Sequence, residues 1–311
     1  MISYQKDLFI HGPDIWLDSI RVKDFGFISH GHTDHIARHR KIICTHPTQD
    51  VIKIRLKSPN CQALEYNQLL QINGADLSLH PAGHILGSAQ IKIVQEKTTL
   101  LYSGDFRISA ARTVEQLEFV KTDILIMETT FGLPHYKFPD RAEVENDLVN
   151  LCRNLLKAGK TPVVFAYTLG KGQEALKILS DAGLPVAADY SILKFVPIYQ
   201  KYGIEFGSFS KFKISDTKGK VLLLPTQARY NKKIRMLPDI YTIYLSGWAI
   251  DAKNQYRLGV DNVLPLSDHA DFDELIQLVE TVKPKLTYCT HGFESFADTL
   301  NNAGYKAQLL K

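Results

Sequence analysis

Cysteine is scarce in this chain. Its 311 residues hold four, Cys44, Cys61, Cys152 and Cys289, and no two form a CxxC pair. A disulfide framework and a cysteine-ligated zinc site are therefore not expected, and the four are read as buried thiols. Long apolar runs are also missing: none approaches the roughly 18 residues that a membrane helix needs. No membrane partner is expected. The opening MISYQKDLFIHG lacks the basic and apolar stretches of a secretory signal, so the expected location is cytoplasmic. There is no internal repeat, low-complexity tract or obvious linker. The GxxxxGK[ST] pattern is absent too, so nucleotide hydrolysis at a P-loop is not inferred.

What is present is a globular composition, 45% hydrophobic, enough for one large domain or for a domain carrying a sizeable insertion. The net charge is a mild +4, but it is unevenly spread. Residues 191–240 hold ten Lys or Arg against three Asp or Glu, which makes that segment +7 and the remainder −3. Interleaved with those cations are Phe195, Tyr199, Tyr202, Phe206, Phe209, Phe212 and Tyr230. Cations alternating with aromatics suit a groove for single-stranded nucleic acid. A solvated basic surface over an aromatic core explains the same pattern.

Short apolar segments rich in β-branched and aromatic residues predict strands at 22–29, 77–80, 89–94, 98–103, 123–127, 162–167, 220–224, 241–245 and 286–290. Helical spacing occurs at 47–57, 141–158, 172–182, 190–202, 271–282 and 293–303. The chain is α/β. Gly159, Gly183 and Gly304 each follow a helical run and read as helix stops.

The densest chemistry is in ISHGHTDHIARH, residues 28–39, where His30, His32, Asp34 and His35 leave the end of a predicted strand. Imidazole nitrogens and carboxylate oxygens are the ligands that zinc and similar divalent ions prefer. A lone histidine is ordinarily structural, but four such groups together have no place in a dry interior without a metal. The alternate spacing lets two of them face one ion and the next two a second. Further ligands are expected at other strand ends: His84 in HPAGHILGSAQI, Asp105 in LLYSGDF and His291 in YCTHGFES. A carboxylate such as Asp105 can bridge two ions about 3.5–4 Å apart. His11, His39, His46, His80 and His135 lack this context and are left structural or exposed.

Together, the HxHxDH run from His30 to His35 followed by His84, Asp105 and His291 resembles the metallo-β-lactamase fold signature. That resemblance implies an αββα sandwich of two mixed sheets. It also matches Asp18, in IWLDS, to the aspartate that supports the metal loop by hydrogen bonding. The fold alone does not fix the reaction. Three more stretches, IMETTFGLPHY, FAYTLGKGQEAL and LSDHADFDEL, resemble the β-CASP nucleases, in which a cap domain is inserted into this fold. Glu128 then matches the acid of motif A, His269 the histidine of motif B and His291 that of motif C. A histidine at motif C is more similar to the RNA-processing branch. Through METTFGLPHY, AYTLGKGQ, Ser246-Gly247-Trp248 and SDHADF, however, the chain most resembles the bacterial DNA ligase-associated exonucleases over nearly its whole length. It departs from them at Thr129, Thr168 and Phe272 and in having a compact cap, which leaves substrate preference and polarity open.

The resemblance implies a metallo-β-lactamase domain over 1–130 and 246–311, a cap over 131–245, and an active site in the cleft between them. Two divalent ions, zinc with manganese as the alternative, would be held by His30, His32 and His84 on one side and by Asp34, His35 and His291 on the other, with Asp105 bridging. They would lower the pKa of a bound water to about 7 for attack on a phosphodiester. His269 is the candidate general acid, oriented and kept protonated by Glu128; a surface ion pair is the bland alternative. Gly170, Lys171 and Gly172, at a glycine-flanked helix start, are candidates for a phosphate cradle with Ser267, although an ordinary helix cap explains them as well. Lys211, Lys213, Lys232, Lys233 and Arg235 are candidates for backbone contacts, and Trp248 reads as core, with a stacking surface as the alternative. The expected partner is nucleic acid, DNA favoured over RNA, with a functional association with a DNA ligase. The rivals are an RNA-processing nuclease of the same architecture and a small-molecule metallohydrolase.

Overall fold

The computed structural model describes residues 2–251 and 253–310. Its first sheet has six strands in sequence order: β1 (Ile2–Tyr4), β2 (Leu8–Ile10), β3 (Ile15–Leu17), β4 (Phe25–Phe27), β5 (Lys41–Thr45) and β6 (Cys61–Leu64). Helix α1 (His46–Arg55) follows β5, started by Thr45, whose hydroxyl accepts the Thr48 N–H, and by Pro47 in its first turn. Next come β7 (Leu70–Ile72), β8 (Ala75–Pro81), β9 (Ala89–Gln95), β10 (Thr98–Tyr102) and β11 (Ile124–Glu128).

The chain then builds a separate sheet from β12 (Thr161–Ala166), β13 (Val186–Ala188), β14 (Phe209–Lys211), β15 (Val221–Pro225), β16 (Ile240–Leu245) and β17 (Asn262–Leu264). Its helices are α2 (Arg141–Lys157), α3 (Lys171–Asp181), α4 (Tyr190–Leu193), α5 (Val196–Lys201), α6 (Lys232–Arg235) and α7 (Lys253–Leu258). It closes with α8 (Phe272–Val282), β18 (Leu286–Thr290), α9 (Ser295–Asn302) and β19 (Ala307–Leu309).

Two compact units result, residues 1–136 with 269–311, and residues 137–268. In the first, β7 to β11 with β18 and β19 make a seven-stranded sheet in the order β19-β18-β11-β10-β9-β8-β7. The facing sides of the two sheets share one core: Leu17, Phe27 and Ile43 from one side pack with Leu77, Ile91, Leu100 and Ile126 from the other. Each outer face takes a helical layer. Ile42 and Cys44 pack on Ile52 of α1, while Leu101, Leu125 and Met127 pack on Leu275 and Leu278 of α8 and on Phe296 of α9. This is an αββα sandwich.

The second unit is a wholly parallel sheet in the order β14-β13-β15-β12-β16-β17. Both faces are covered, as buried parallel strands require. Val164, Leu223 and Ile243 pack on Leu148 of α2 and Leu176 of α3, and Val163, Phe165 and Leu222 on Ile234 of α6. The sheet extends past the expected cap limit of 245, because β17 pairs in parallel with β16 and Leu266 packs into the α2–α3 side. The single helix expected over 190–202 is two, α4 and α5. Pro197 lies in the first turn of α5 and has no N–H to continue the ladder from α4. Gly159 does stop α2: at φ +73° it donates to the Leu156 carbonyl while Lys160 donates to that of Leu155. No helix of the described residues is long and apolar enough to cross a membrane.

Candidate metal centre and catalytic pair

The functional side chains of the first unit stand where strands end. Past β4, the Ile28 N–H donates to the Ile43 carbonyl and the Ser29 carbonyl accepts from Ala89, which fixes the start of the histidine loop between two neighbours. His84 lies in the turn joining β8 to β9, its N–H donating to Ser88 Oγ at 3.0 Å. Asp105 follows β10, Glu128 closes β11, and His291 follows β18. His291 has a left-handed φ of +51°, and a Cβ on the next residue, Gly292, would stand 1.8 Å from the Thr129 carbonyl oxygen. Only glycine fits there.

These ends bring His30, His32, His84 and Asp105 together, with one ligand atom of each within 4.8 Å of the others. His84 Nε2 is 3.1 Å from His32 Nδ1, and Asp105 Oδ2 lies 3.6 Å from His30 Nε2 and 3.3 Å from His35 Nε2. His30 is wholly buried; its Nδ1 meets Ser29 Oγ at 2.9 Å, and among the described residues its Nε2 has no hydrogen-bond partner, Asp105 standing off at 3.6 Å. An orphaned buried nitrogen is costly, and a divalent ion would satisfy it. Burial, then the neighbouring His35 and His84, push the His30 pKa well below 6.5, so the ring is in the neutral form that ligates metal. Burial opposes the charge on Asp105, but His35 outweighs it and holds the carboxyl well below the usual range. Burial likewise opposes charge on His35, yet Asp105 and Asp18 raise it well above 6.5. The donor set fits a divalent metal.

Asp18 organises this loop. It accepts the Ser29 N–H at 2.7 Å, the Ser29 hydroxyl at 2.6 Å and the Tyr102 hydroxyl at 2.9 Å, and it meets His35 Nδ1 at 2.9 Å. Ser29 and Tyr102, which bond Asp18 and, through Ser29, His30, are members of the candidate site that the sequence did not single out. Their only signals were position: Ser29 directly precedes His30, and Tyr102 closes the strand that leads to Asp105. Partners of this kind fix ring orientation and ligand basicity.

Beside the cluster, His269 Nδ1 lies 2.8 and 3.1 Å from the two oxygens of Glu128. Glu128 is buried, accepting the Phe106 N–H at 2.9 Å and the Thr130 hydroxyl, another contact the sequence did not announce. The His269 ring is 4.6 Å from that of His84. A buried carboxylate aiming an imidazole at a metal-type cluster is not a surface ion pair.

The second expected ligand group is less gathered. The His291 ring is exposed, 6.3 Å from that of His35, and Asp34 is exposed, outside the converging atoms, its charge acting on Arg55.

In the second unit the cradle expected at Gly170, Lys171 and Gly172 is closed by the chain itself. The Gly170 N–H donates to Gln173 Oε1 at 2.8 Å, and buried Lys171 pairs with Asp268 at 2.8 Å, so the stretch is a helix cap. Ser267 is buried, and its carbonyl accepts from Arg141 at 3.0 Å. Lys211, Lys213, Lys232, Lys233 and Arg235 are all exposed. The aromatics of the basic segment divide: Phe195 and Tyr199 are core, whereas Tyr230 is 69% exposed. Trp248, expected in the core, is 39% exposed, because the turn after β16 carries it past the end of the sheet.

Comparison with known proteins agrees with this geometry. The family described as a Zn-dependent metallo-hydrolase RNA specificity domain matches residues 255–308. A protein named "Probable DNA ligase" from Opitutus terrae is 36% identical over 310 residues, covering 98% of this chain and 30% of that protein. "Probable RNase MJ4" from Methanocaldococcus jannaschii is 25% identical, covering 92% of this chain and 85% of that one. A crystal structure of a protein of unknown function from Enterococcus faecalis shares the fold at a TM-score of 0.64 and 14% identity, over 92% of this chain and 79% of that chain. The chain thus spans only about a third of its ligase-named relative. With the sandwich, the strand-end histidine and aspartate cluster and these likenesses together, the chain belongs to the metallo-β-lactamase-fold family of β-CASP type.

Proposed function

We propose that the chain is a metal-dependent phosphodiesterase acting on nucleic acid, a DNA exonuclease of repair that works alongside a DNA ligase. The observation that carries this reading is the Glu128–His269 pair standing beside the His30, His32, His84 and Asp105 cluster. His30, His32, His84 and Asp105 would hold one divalent ion, and Asp34, His35 and His291 are the candidates for a second, for which Asp34 and His291 would have to move in from their exposed positions. Zinc suits these donors, and manganese is the alternative. When bound, such ions supply Lewis acidity, acidifying water and offsetting charge on a phosphoryl oxygen.

The chain's own residues do the rest. Asp18 and Ser29 orient the rings of His35 and His30. Glu128 holds His269 through Nδ1, which assigns Nε2 to deliver a proton to the leaving sugar oxygen, a contribution of about 10²–10⁴-fold in rate for a positioned acid. The first unit is read as the catalytic domain and the second as the cap, whose exposed Lys211, Lys213, Lys232, Lys233 and Arg235 would contact the phosphate backbone.

DNA is favoured by the identity and coverage shared with the ligase-named protein, which also motivate the functional link to a ligase. Action on RNA is the second reading, supported by the matched RNA specificity family and the RNase-named relative. Cleavage of end-labelled single-stranded DNA and the matched RNA, with zinc or manganese and with His269→Ala as control, tests the choice. Stepwise shortening of DNA, lost in the variant, is the expected result. Cleavage of RNA alone would transfer the chain to RNA processing, and no cleavage of either by metal-loaded protein would refute the nuclease reading.

A further inference from the structure

In the second unit, the carboxyl edge of the parallel sheet carries large rings in solvent. Tyr190 follows β13 and is 62% exposed, Tyr230 ends the turn after β15, Tyr167 follows β12 and is 52% exposed, and Trp248 follows β16. Because β13, β15, β12 and β16 are successive neighbours, the four rings fall in that order along one edge. Adding β14, at about 4.8 Å per strand, the edge runs roughly 20 Å.

Topology marks the same place. After β12 the chain goes to α3, which packs on one face of the sheet, and after the adjacent β15 it goes to α6, which packs on the other. Adjacent strands whose connections diverge to opposite faces leave a crevice at their carboxyl ends, where open parallel sheets take ligands. Tyr167 and Tyr230 flank that point.

Three cations accompany the rings, of which Lys171, 5.1 Å from the centre of the Tyr167 ring, is already paired with Asp268 and leaves two. Lys211 Nζ lies 5.1 Å from the centre of the Tyr190 ring, and the Arg229 guanidinium lies 4.5 Å from that of Tyr230 and 5.2 Å from that of buried Tyr244. Among the described residues neither pairs with a carboxylate, and Arg229 Nε is buried with no hydrogen-bond partner. Positive groups laid against rings and left without anions match a polyanion whose units carry flat faces.

We propose that this edge is a stacking platform for single-stranded nucleic acid, with Tyr190, Tyr230, Tyr167 and Trp248 receiving base faces and Arg229 and Lys211 receiving phosphates. The inference rests on the nucleic-acid reading above for its ligand. It adds that the bases are engaged unpaired and by stacking, so recognition is tolerant of sequence.

The test uses the zinc-loaded full chain and a fluorescent, phosphorothioate-linked oligothymidylate that resists hydrolysis, with an abasic strand of the same length as partner probe. Tyr190→Ala and Tyr230→Ala should each weaken oligothymidylate binding about fivefold or more, the range for loss of one stacked base, and leave the abasic strand unaffected. Tyr230→Phe should retain affinity, since it keeps the ring. Arg229→Gln should weaken both probes. Equal weakening of both probes by the tyrosine variants, or affinity for oligothymidylate within twofold of the parent, would overturn the platform. So would displacement of the strand by polyglutamate as readily as by unlabelled oligothymidylate, which would make the edge a site for acidic protein. Turnover of bis(p-nitrophenyl) phosphate by the parent separates the two readings. Turnover without ring-dependent binding sinks the platform alone, and ring-dependent binding without turnover sinks the phosphodiesterase alone.

Discussion

Replacement of Asp18 probes how the metal loop is held. Its side chain is 3% exposed and makes four polar contacts within 2.9 Å, to the Ser29 N–H, the Ser29 hydroxyl, the Tyr102 hydroxyl and His35 Nδ1. Asp18→Ala strands three donors and a buried imidazole at once. Removing one partner of a buried charged pair costs about 3–5 kcal/mol. Alanine at φ +46° adds a smaller backbone penalty. Asp18→Asn separates these effects, because asparagine tolerates the left-handed backbone and keeps one acceptor while losing the charge. Thermal melts of chelated protein should therefore fall by several degrees in the alanine variant and by less in the asparagine variant. Zinc affinity, read by competition with a chromophoric chelator, should drop about 10–100-fold in both, the usual cost of losing a residue that orients a ligand. Zinc affinity unchanged in Asp18→Asn would refute the argument that the Asp18 charge prepares the site.

Glu128→Gln should lower the rate constant for DNA hydrolysis about 10²-fold or more, with substrate binding nearly unchanged, because it removes the group that aims His269; single-turnover kinetics measures the two separately. Gly292→Ala cannot be accommodated against the Thr129 carbonyl, so it should displace His291 and lower the zinc content found by metal analysis of the purified protein. Asp123 has its pKa lowered from 3.8 to about 2 by hydrogen bonds from Lys285 and from the Thr99 backbone and hydroxyl. Its stabilising contribution is present above pH 4 and lost as pH falls toward 2, so the Tm gap between the parent and Asp123→Asn should narrow over that window and stay constant above it.

How much of this could be read beforehand follows from the range of each interaction. Strands β10 and β11 were legible because their residues pack on the sandwich core on one side and on helices on the other, which imposes continuous apolar runs, and β8 and β9 because Leu77, Leu79, Ile91 and Ile93 face that core in alternation with polar residues. Strands β1 to β3 were not, since three residues give no period to detect. The metal-type residues were legible because ligands must be histidine or carboxylate and strand ends must deliver them. Tyr102 was not, because its hydroxyl reaches Asp18 across 84 positions of sequence.

The same contrast decides what the cap's charges are for. Lys171 had the local setting of a phosphate ligand, yet Asp268, 97 positions later, takes its ammonium at 2.8 Å and turns a cradle into a helix cap. Arg229 had no such local setting, and the fold places it between two tyrosines with a buried nitrogen unpartnered. A lysine inside a glycine-rich motif is thus spent on holding its own unit together, while an arginine inside no motif bonds the Tyr230 hydroxyl and, among the described residues, is left without a carboxylate, as the proposed platform requires. Cations available to nucleic acid are those the fold leaves without a carboxylate, and that property belongs to contacts across the sheet, not to the neighbours of a residue in sequence.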